Sequence, residues 1–377
     1  MHEVAIVGGG AAGLSTAALL GERGLQAVVL EAEPELGGRW ARRYDRLHLH
    51  TPRLLSGLPG VRIPRSYGRW VARDGVVSYL QEYAPRRRLD VRLGTPVERI
   101  DRDDVGWRLE TSQEPVHGQR VVVATGYHAQ PFVPPWPGVE SFPGRLVHSA
   151  EYRNPESYGG LEVLVVGPGN SGSEIAVDLA EGGASRVRVA VRTPPMIVRR
   201  DTKGFPTQLL GIATKRVPAP VMDPVARVLR RVTVPDLRAQ GLPAPADPYS
   251  QFMRTGTIPV VDVGFVDAVR SGAVEVVAAV EALDGDGVRL ADGSCVEPDA
   301  VVAATGYRPG LEPLVGHLGV IGGHGLPRPL PGLHFPGMTL VLSGLLREIA
   351  REGGRIAATV ERELREPAPD AAPATGT

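Results

Sequence analysis

The sequence is poor in the residues that build disulfides and redox centres. Cys295 is the only cysteine among 377 residues, so the chain can form neither an intramolecular disulfide nor a Cys-x-x-Cys pair. Lysine is also scarce: it stands at 203 and 215, and arginine supplies the other basic residues. The cysteine usage fits a reducing cytoplasm and excludes a disulfide-stabilised secreted domain.

The chain also lacks an excess of charge and any long apolar segment. Lys plus Arg and Asp plus Glu both number 42, so the surface as a whole has no charge that attracts nucleic acid or an anionic membrane. No uninterrupted apolar run reaches the roughly 18 residues of a spanning helix, and the start MHEVAIVGGG does not resemble a signal peptide. We expect a soluble, cytoplasmic protein that acts on small molecules, with its oligomeric state open.

Glycine is abundant, and its first cluster has the spacing of a dinucleotide-binding loop. An apolar strand is predicted before GGGAAG (8–13), and an Ala/Leu-rich helix after it. Gly8 permits the turn, Gly10 lets a pyrophosphate approach the backbone, and Gly13 lets the helix pack on the strand. A second strand ends at Glu31, 18 positions after Gly13, where an acid binds ribose hydroxyls. This order favours a nucleotide site over a tight turn without a ligand.

The same arrangement recurs at GPGNSG (167–172). A strand precedes it, and a helix to about Glu181 follows. The next strand, Val187 to Val191, is followed by Arg192, 20 positions after Gly172. An acid would repel the 2′-phosphate of NADPH, whereas an arginine pairs with it bidentately. The second loop is therefore predicted to bind NADPH. Arg199 and Arg200 are alternative basic partners, and a solvated Arg192 is the other interpretation.

Two ATGY stretches, 124–127 and 304–307, each follow an apolar strand. Each predicts a strand that ends in a turn where the chain crosses between domains. The expected fold is α/β, with two dinucleotide-binding, Rossmann-like domains. In proteins with two such loops, a first site with Glu at its strand end commonly binds FAD. We therefore expect an FAD-binding domain, 1–155 and 300–365, split by an inserted NADPH-binding domain, 156–299.

The sequence also predicts the structure of two further segments. Residues 204–256 form a Pro- and Arg-rich insert with one helical candidate at 223–233; it is either a lid or substrate wall or a solvated excursion. Residues 343–364 predict a helix with Ser343 as its N-cap. The N-terminus of that helix could stabilise negative charge on a flavin. The Pro/Ala-rich tail, 366–377, is expected to be disordered.

With these loops, the chain resembles the class B flavin-containing monooxygenases, which carry F-x-G-x-x-x-H-x-x-x-[YF] between an FAD loop and an NADPH loop. Here that signature is Phe142, Gly144, His148 and Tyr152. Within the class it looks most like the YUCCA-type branch of indole-3-pyruvate monooxygenases. The text that carries this likeness includes ELGGRWARRYDRLHLHTP, HSAEYR, VVGPGNSGSEIAVDLA, TGTIPVVDVGFVDAVRSGAVEVV and ATGYRP.

The resemblance implies a reaction sequence. NADPH reduces FAD, the reduced flavin adds O₂ to give a C4a-(hydro)peroxide, and that species oxygenates a small organic substrate. The branch implies oxidative decarboxylation of a 2-oxo acid such as indole-3-pyruvate. An N- or S-oxygenase, a Baeyer–Villiger monooxygenase and a non-oxygenating NADPH oxidase stay open as alternatives. Baeyer–Villiger members usually have Trp-Pro or Trp-Asp where this chain has Tyr152-Arg153.

The resemblance also implies roles for individual residues, and no metal site is predicted. His50 stands where many members have an Asn near the flavin and the YUCCA-like branch has His, and Asn170 is expected to contact NADP; these two are the catalytic candidates. His148 and Tyr152 are expected to fix how the NADPH domain meets the flavin. Arg216, Arg227, Arg230 and Arg231 are candidates for binding a carboxylate. The expected cofactor contacts are Gly8, Gly10, Ala12, Gly13, Glu31, Gly38, Arg39, Trp40, Leu49, Val97, Ala124, Thr125, Gly126, His148, Tyr152, Gly167, Gly169, Ser171, Gly172, Arg192, Thr305 and Gly306.

Overall fold

A computed structural model describes residues 1–202, 204–214, 217–328, 330–339 and 341–366. The predicted disordered tail beyond residue 366 and the candidate Arg216 lie outside the described residues. The α-helices are α1 (Ala11–Gly21), α2 (Gly38–Ala41), α3 (Arg73–Arg86), α4 (Asn170–Glu181), α5 (Thr207–Thr214), α6 (Ala219–Thr233), α7 (Pro248–Thr255), α8 (Phe265–Ser271), α9 (Glu312–Val315) and α10 (Leu345–Arg365).

The strands are short, as expected for α/β units. They are β1 (His2–Val7), β2 (Ala27–Leu30), β3 (Asp90–Arg92), β4 (Val97–Asp103), β5 (Gly106–Thr111), β6 (Val116–Val123), β7 (Gln130–Pro131), β8 (Arg145–His148), β9 (Glu162–Val166), β10 (Arg186–Ala190), β11 (Ile197–Arg199), β12 (Asp201–Thr202), β13 (Phe205–Pro206), β14 (Val260–Asp262), β15 (Glu275–Val277), β16 (Val280–Asp284), β17 (Gly287–Leu290), β18 (Cys295–Val296), β19 (Ala300–Ala303), β20 (Tyr307–Arg308) and β21 (Leu333–His334). Single 3₁₀ turns lie at Arg53–Leu55, Arg65–Tyr67, Val139–Ser141, Glu156–Tyr158, Arg238–Gln240, Gly316–Leu318 and Gly323–Gly325.

The first sheet has the strand order β3-β2-β1-β6-β5-β4, and β21 also pairs with β6. Strands β1, β2, β3 and β6 run parallel, whereas β4, β5 and β6 form antiparallel pairs. Val4 and Ile6 of β1 are completely buried because they lie in one core with residues of α1, α3 and α10. Gly353 lets α10 pack on α1: a Cβ there would lie 3.1 Å from Thr16 Oγ1. The glycine pair at 353–354 therefore does not interrupt the helix.

The second sheet is wholly parallel, with the order β15-β10-β9-β19-β8. Its core is aliphatic: Val163, Val165 and Val302 are completely buried. Each ATGY strand pairs with the strand of its own glycine loop, β6 with β1 and β19 with β9. The two sheets confirm the α/β class, and the division into two nucleotide domains stays a prediction.

The boundaries predicted for those domains do not match the sheets. The predicted first domain, 1–155 and 300–365, includes β8 and β19, yet both strands pair in the second sheet. The reason is that the second ATGY strand completes the second sheet before the chain leaves it. The chain rejoins the first sheet later, at β21, and α10 then packs on α1.

The predicted N-cap of the last helix is wrong. The helix α10 begins at Leu345 after Gly344, whose φ of +95° is a left-handed conformation that favours glycine. Ser343 lies one residue too early, and its hydroxyl donates instead to Glu348 Oε1 at 2.9 Å. A Cβ at Gly344 would lie 2.1 Å from Gln208 Nε2, so close packing against α5 sets the start of the helix.

Candidate functional site

The first glycine loop has the backbone that a nucleotide loop requires. Gly8 has φ +105°, and a Cβ there would lie 2.7 Å from the carbonyl oxygen of Ala124. A Cβ at Gly13 would lie 1.9 Å from the Gly8 carbonyl oxygen. Glycine is thus required at both positions by the contact of β1 with β6 and of α1 with the loop. Ala12, the next residue back, is buried on the first turn of α1.

The second loop repeats this geometry. Gly167 has φ +104°, and its Cβ would lie 2.7 Å from the Ala304 carbonyl oxygen. A Cβ at Gly172 would lie 1.9 Å from the Gly167 carbonyl oxygen. The two ATGY stretches therefore occupy equivalent places, each against the turn of its own loop.

The middle glycines differ from the outer ones. A Cβ on Gly10 or on Gly169 would have no described atom within 4 Å. Both residues precede a helix, α1 and α4 respectively, and neither helix has a side-chain cap. The open space and the uncapped N–H groups suit an approaching phosphate. The residues at both loops thus fit a dinucleotide.

The residues at the two strand ends differ in charge and in surroundings. Glu31 follows β2 and accepts hydrogen bonds from the Gly9 amide at 2.5 Å and the Glu33 amide at 2.9 Å. Arg192 follows β10, is exposed, and has no hydrogen bond or ion pair with a described residue. Glu31 therefore braces its loop as well as presenting a charge, whereas the Arg192 guanidinium is free to meet an anion.

The ATGY residues supply further polar groups. Thr125 Oγ1 is buried and has no hydrogen-bond partner among the described residues, and Gly126 follows it with φ +88°. In the second copy, the hydroxyl of Thr305 donates to the Phe132 carbonyl, and Gly306 has φ +91°. An orphaned hydroxyl beside the first loop fits a bound cofactor there.

His148 has both ring nitrogens satisfied by backbone. The Ala150 amide donates to Nδ1 at 3.0 Å, so Nε2 carries the proton and donates to the Gly306 carbonyl at 3.0 Å. Burial lowers the pKa of His148 below its ordinary value. Tyr152, four residues on, is buried and donates its hydroxyl to Asp178 Oδ2 at 2.8 Å. The signature pair thus ties β8 and its turn to the second ATGY stretch and to α4.

An aromatic cluster lies where the two ATGY stretches meet. The Tyr307 ring packs edge-on against His128, with centroids 5.5 Å apart, and against His148, with centroids 5.0 Å apart. The Arg43 guanidinium lies 4.5 Å from the Tyr307 centroid and bonds the Tyr307 hydroxyl. Burial, reinforced by the charge of Arg43, lowers the pKa of His128 to about 4.

A mainly apolar cavity of about 310 Å³ brings these regions together. Its wall includes four of the predicted site residues, Trp40, Leu49, His50 and Asn170. The insert supplies another part of the wall through α5, α6 and α7. Residues before and at the start of α10 supply a third part: Val341, Leu342, Gly344, Leu345 and Leu346. The insert is also anchored to the segment before α10, because Gln208 Nε2 donates to the Ser343 carbonyl at 2.7 Å.

His50 makes a contact that sequence reasoning missed. Its Nε2 lies 2.9 Å from Oε1 of Glu174, a buried residue of α4. Its Nδ1 is buried and has no hydrogen-bond partner among the described residues. The one available signal was an acidic residue directly before the apolar run 175–177 in NSGSEIAVDLA, just after the second loop.

Asn170 is held by the strand that follows the insert. Its Nδ2 donates to the Pro259 carbonyl at 3.1 Å, and its Oδ1 accepts from the Val261 amide at 2.7 Å. The side chain still lies in the cavity wall. The amide therefore fixes β14 against the N-terminus of α4, and its predicted contact with NADP stays a prediction.

The arginines of this region separate into three groups. Arg199 donates to the Thr233 carbonyl at 3.0 Å and lies 3.3 Å from Asp262, so its charge is already paired. Arg200 and Arg230 lie in the cavity wall, and burial lowers the pKa of both guanidinium groups. Arg227 and Arg231, the other predicted carboxylate-binding candidates within the described residues, are exposed and outside the cavity wall.

The remaining predicted residues occupy several places. Gly38 begins α2, Arg39 NH1 donates to the Ala129 carbonyl at 3.1 Å, and Val97 begins β4 at the edge of the first sheet. Ser171 lies on the first turn of α4, close to the buried Tyr44 hydroxyl. Within the described part of the chain, no group of three or more His, Cys, Asp or Glu residues is placed to hold a metal ion. No described helix is both long and apolar enough to cross a membrane.

Comparison with known proteins agrees with this geometry. Residues 5–205 match the family model described as pyridine nucleotide-disulphide oxidoreductase. The chain is 35% identical to the indole-3-pyruvate monooxygenase YUCCA1 of Oryza sativa subsp. japonica over 316 residues, which cover 80% of this chain and 76% of that protein. It is 33% identical to the probable indole-3-pyruvate monooxygenase YUCCA4 of Arabidopsis thaliana over 315 residues, covering 80% and 75%.

Solved structures share the fold. A variant of the flavin monooxygenase from Stenotrophomonas maltophilia superimposes with a TM-score of 0.75 at 25% identity, covering 97% of this chain and 100% of that one. A steroid monooxygenase bound to NADP superimposes with a TM-score of 0.71 at 19% identity, covering 96% and 85%.

Proposed function

The chain belongs to the flavin-containing monooxygenase family, and from that membership we propose that it oxidatively decarboxylates an aryl 2-oxo acid of the indole-3-pyruvate kind. It is a flavin-dependent monooxygenase, and FAD and NADPH are the cofactors of its family. The balanced reaction takes one 2-oxo acid, O₂, NADPH and a proton to the shortened carboxylic acid, CO₂, NADP⁺ and water. One oxygen atom enters the acid and the other leaves in the water.

The bound flavin would supply electron transfer to O₂, which no side chain can provide. In this proposal the first loop and the N-terminus of α1 hold the FAD pyrophosphate, Glu31 binds the ribose hydroxyls, and the orphaned Thr125 hydroxyl gains a partner. The second loop and α4 hold NADPH, with Arg192 against the 2′-phosphate. The cavity between them, closed on one side by the insert, keeps water away from the reacting groups.

The proposed substrate class depends on one observation: desolvated arginines lie in a mainly apolar cavity wall. Arg230 Nε is buried and has no hydrogen-bond partner among the described residues. Arg200 stacks over the ring of Trp70, 4.7 Å from its centroid, and lies in the same wall. A guanidinium that has lost water gains most from a carboxylate, and the apolar surface around it suits an aromatic ring.

Neighbouring arginines on α6 provide a matched test. We expect Arg230→Gln to raise the KM for an aryl 2-oxo acid about tenfold, because a charge-assisted hydrogen bond contributes about 1.5 kcal/mol or more. Arg231→Gln removes an identical charge from the exposed side of the same helix and should leave KM unchanged. The KM for the aryl 2-oxo acid is also measured for Arg200→Gln.

The assay measures NADPH consumption, CO₂ release and the shortened acid together, with indole-3-pyruvate, phenylpyruvate and the corresponding ketones without a carboxylate. Release of CO₂ in step with NADPH consumption supports the proposal. An ester formed from a ketone would identify a Baeyer–Villiger enzyme instead, and hydrogen peroxide as the only product would identify an NADPH oxidase.

A further inference from the structure

The partly buried His50 and the buried Glu174 form a pair that joins the segment after α2 to α4. His50 comes from the segment after α2, and Glu174 from α4, directly after the second glycine loop. The Glu174 side chain is 4% exposed and that of His50 is 22% exposed, so solvent does little to screen the 2.9 Å contact. A buried carboxylate needs such a partner, because removing it from water is costly.

The short contact indicates which ring nitrogen of His50 carries the proton. A carboxylate oxygen and an unprotonated ring nitrogen repel each other through their lone pairs, so an approach of 2.9 Å favours a proton on Nε2 over a lone pair there. The ring N–H is not yet aligned with the carboxylate, and Glu174 Oε1 makes no aligned hydrogen bond with a described residue. The two side chains are therefore in close contact without the alignment of a hydrogen bond.

The other ring nitrogen of His50, Nδ1, is available to accept a hydrogen bond from a ligand. With the proton on Nε2, a neutral His50 has its lone pair on Nδ1, which is buried without a partner in a residue of the cavity wall. A buried polar atom without a partner calls for one, which the bound cofactor or substrate would supply. The charged and titratable groups around Glu174 are Tyr44, Arg46 and Arg200.

We propose that Glu174 is a positioning residue that holds His50 in the Nε2–H tautomer, so that Nδ1 presents a lone pair to the flavin and substrate. The proposal rests on the proposed function, in which His50 contacts the cofactor. Glu174 touches neither ligand in this scheme and acts only through His50. Because it stands on α4, the same contact links the orientation of His50 to the placement of the NADPH loop.

Nitrogen-15 NMR of histidine-labelled protein, with FAD bound, tests the tautomer directly. The His50 signals are identified by their loss in His50→Asn, and we expect the proton on Nε2 in the unsubstituted protein. Glu174→Leu removes the acceptor and should populate both tautomers, whereas Glu174→Gln keeps an acceptor oxygen and should restore the Nε2–H form. Glu181→Leu, a matched carboxylate at the exposed end of α4 that pairs with Arg46, should leave the His50 signals unchanged.

A double-mutant cycle tests whether Glu174 acts through His50. We expect Glu174→Leu to raise the hydrogen peroxide released per NADPH consumed by about tenfold, as when a group that orients a functional histidine is lost. In the His50→Asn background the same substitution should add less than about twofold. Thermal unfolding and flavin content, measured on each variant, separate this effect from a loss of structure.

Two results would overturn the inference: an Nδ1–H tautomer in the unsubstituted protein, or an undiminished effect of Glu174→Leu in the His50→Asn background. If Glu174→Leu fails to fold, the unsubstituted protein and Glu174→Gln still decide the tautomer. The NMR result does not depend on which substrate is oxidised. Absence of CO₂ release from every 2-oxo acid would contradict the proposed function and leave the tautomer assignment standing.

Discussion

The two glycine loops have the same backbone and opposite charges at their strand ends. Their outer glycines meet equivalent carbonyl oxygens at the same separations, 2.7 Å at the turn and 1.9 Å at the helix. The residue after the following strand is Glu31 in one unit, engaged by two amides, and the exposed Arg192 in the other. The backbone geometry of both units thus fits a nucleotide loop. The strand-end side chain differs between them, and we propose that it selects the nucleotide.

Substitution of the helix-side glycines should have the largest effect. Because an added Cβ would lie 1.9 Å from a carbonyl oxygen in each unit, Gly13→Ala and Gly172→Ala should each lower the free energy of unfolding by about 3 kcal/mol. Urea unfolding of the purified variants measures this. Costs that differ by more than about 1 kcal/mol would show that the two units are not equivalent.

Gly10→Ala and Gly169→Ala are the controls, because a Cβ there meets no described atom within 4 Å. Their free energy of unfolding should change by no more than about 1 kcal/mol. These substitutions should weaken ligand binding instead. We expect Gly10→Ala to reduce the flavin bound per chain, and Gly169→Ala to keep the flavin and raise the KM for NADPH.

The two ATGY stretches differ in the next residue, His128 in the first and Arg308 in the second. The pKa of His128 is lowered from 6.5 to about 4, so the folded protein holds it neutral. Below pH 6.5 protonation favours the unfolded chain, so stability falls as pH drops towards 4. We expect a loss of about 2 kcal/mol between pH 7 and 4.5 from this residue.

Urea unfolding at the two pH values tests this, with His128→Asn as the comparison. The substituted protein should lose correspondingly less stability on acidification, although His148, whose pKa is also lowered by burial, keeps a contribution of the same sign. An unchanged loss in His128→Asn would mean that His128 is not held neutral at the junction.

Arg192 tests the difference between the strand ends. Arg192→Ala should raise the KM for NADPH about tenfold and leave that for NADH unchanged, since one charge-assisted hydrogen bond is lost. Arg192→Glu makes the second unit resemble the first and should shift the preference towards NADH. Arg186→Ala, at the other end of β10, is the control. An unchanged preference in Arg192→Ala would place the 2′-phosphate elsewhere.

The smallest effect on stability is expected at Tyr152, the last residue of the signature segment that connects β8 to α4. Tyr152→Phe removes the 2.8 Å hydrogen bond to Asp178 and keeps the packing, so it should lower the free energy of unfolding by about 1 kcal/mol. Rapid-reaction measurement of flavin reduction by NADPH would show whether the junction also loosens. A direct catalytic role would instead abolish reduction.

Sequence patterns predicted the local units well because those units depend on neighbouring residues. The predicted strands at both loops coincide with β1, β2, β9 and β10, a helix follows each loop as predicted, and α4 ends at the predicted Glu181. The helical candidate in the insert lies within α6. The spacing of the glycines and the runs of apolar residues indicate local conformation directly. The sheet that contains β8 and β19, and the start of α10, did not follow from local patterns. Strand pairing decides the first and packing against Gln208 the second, and both involve residues distant in sequence.

The sequence by itself determined that this chain has two glycine loops with opposite strand-end charges, since short-range spacing dictates that geometry. Only the tertiary structure decided which arginines line the cavity: Arg230 and Arg231 are adjacent in sequence, but the 3.6-residue turn of α6 places them on different sides. Only the tertiary structure paired His50 with Glu174, because that contact joins segments 124 residues apart through the packing of the two halves. Local spacing encodes the loops, and long-range packing assembles the side chains between them.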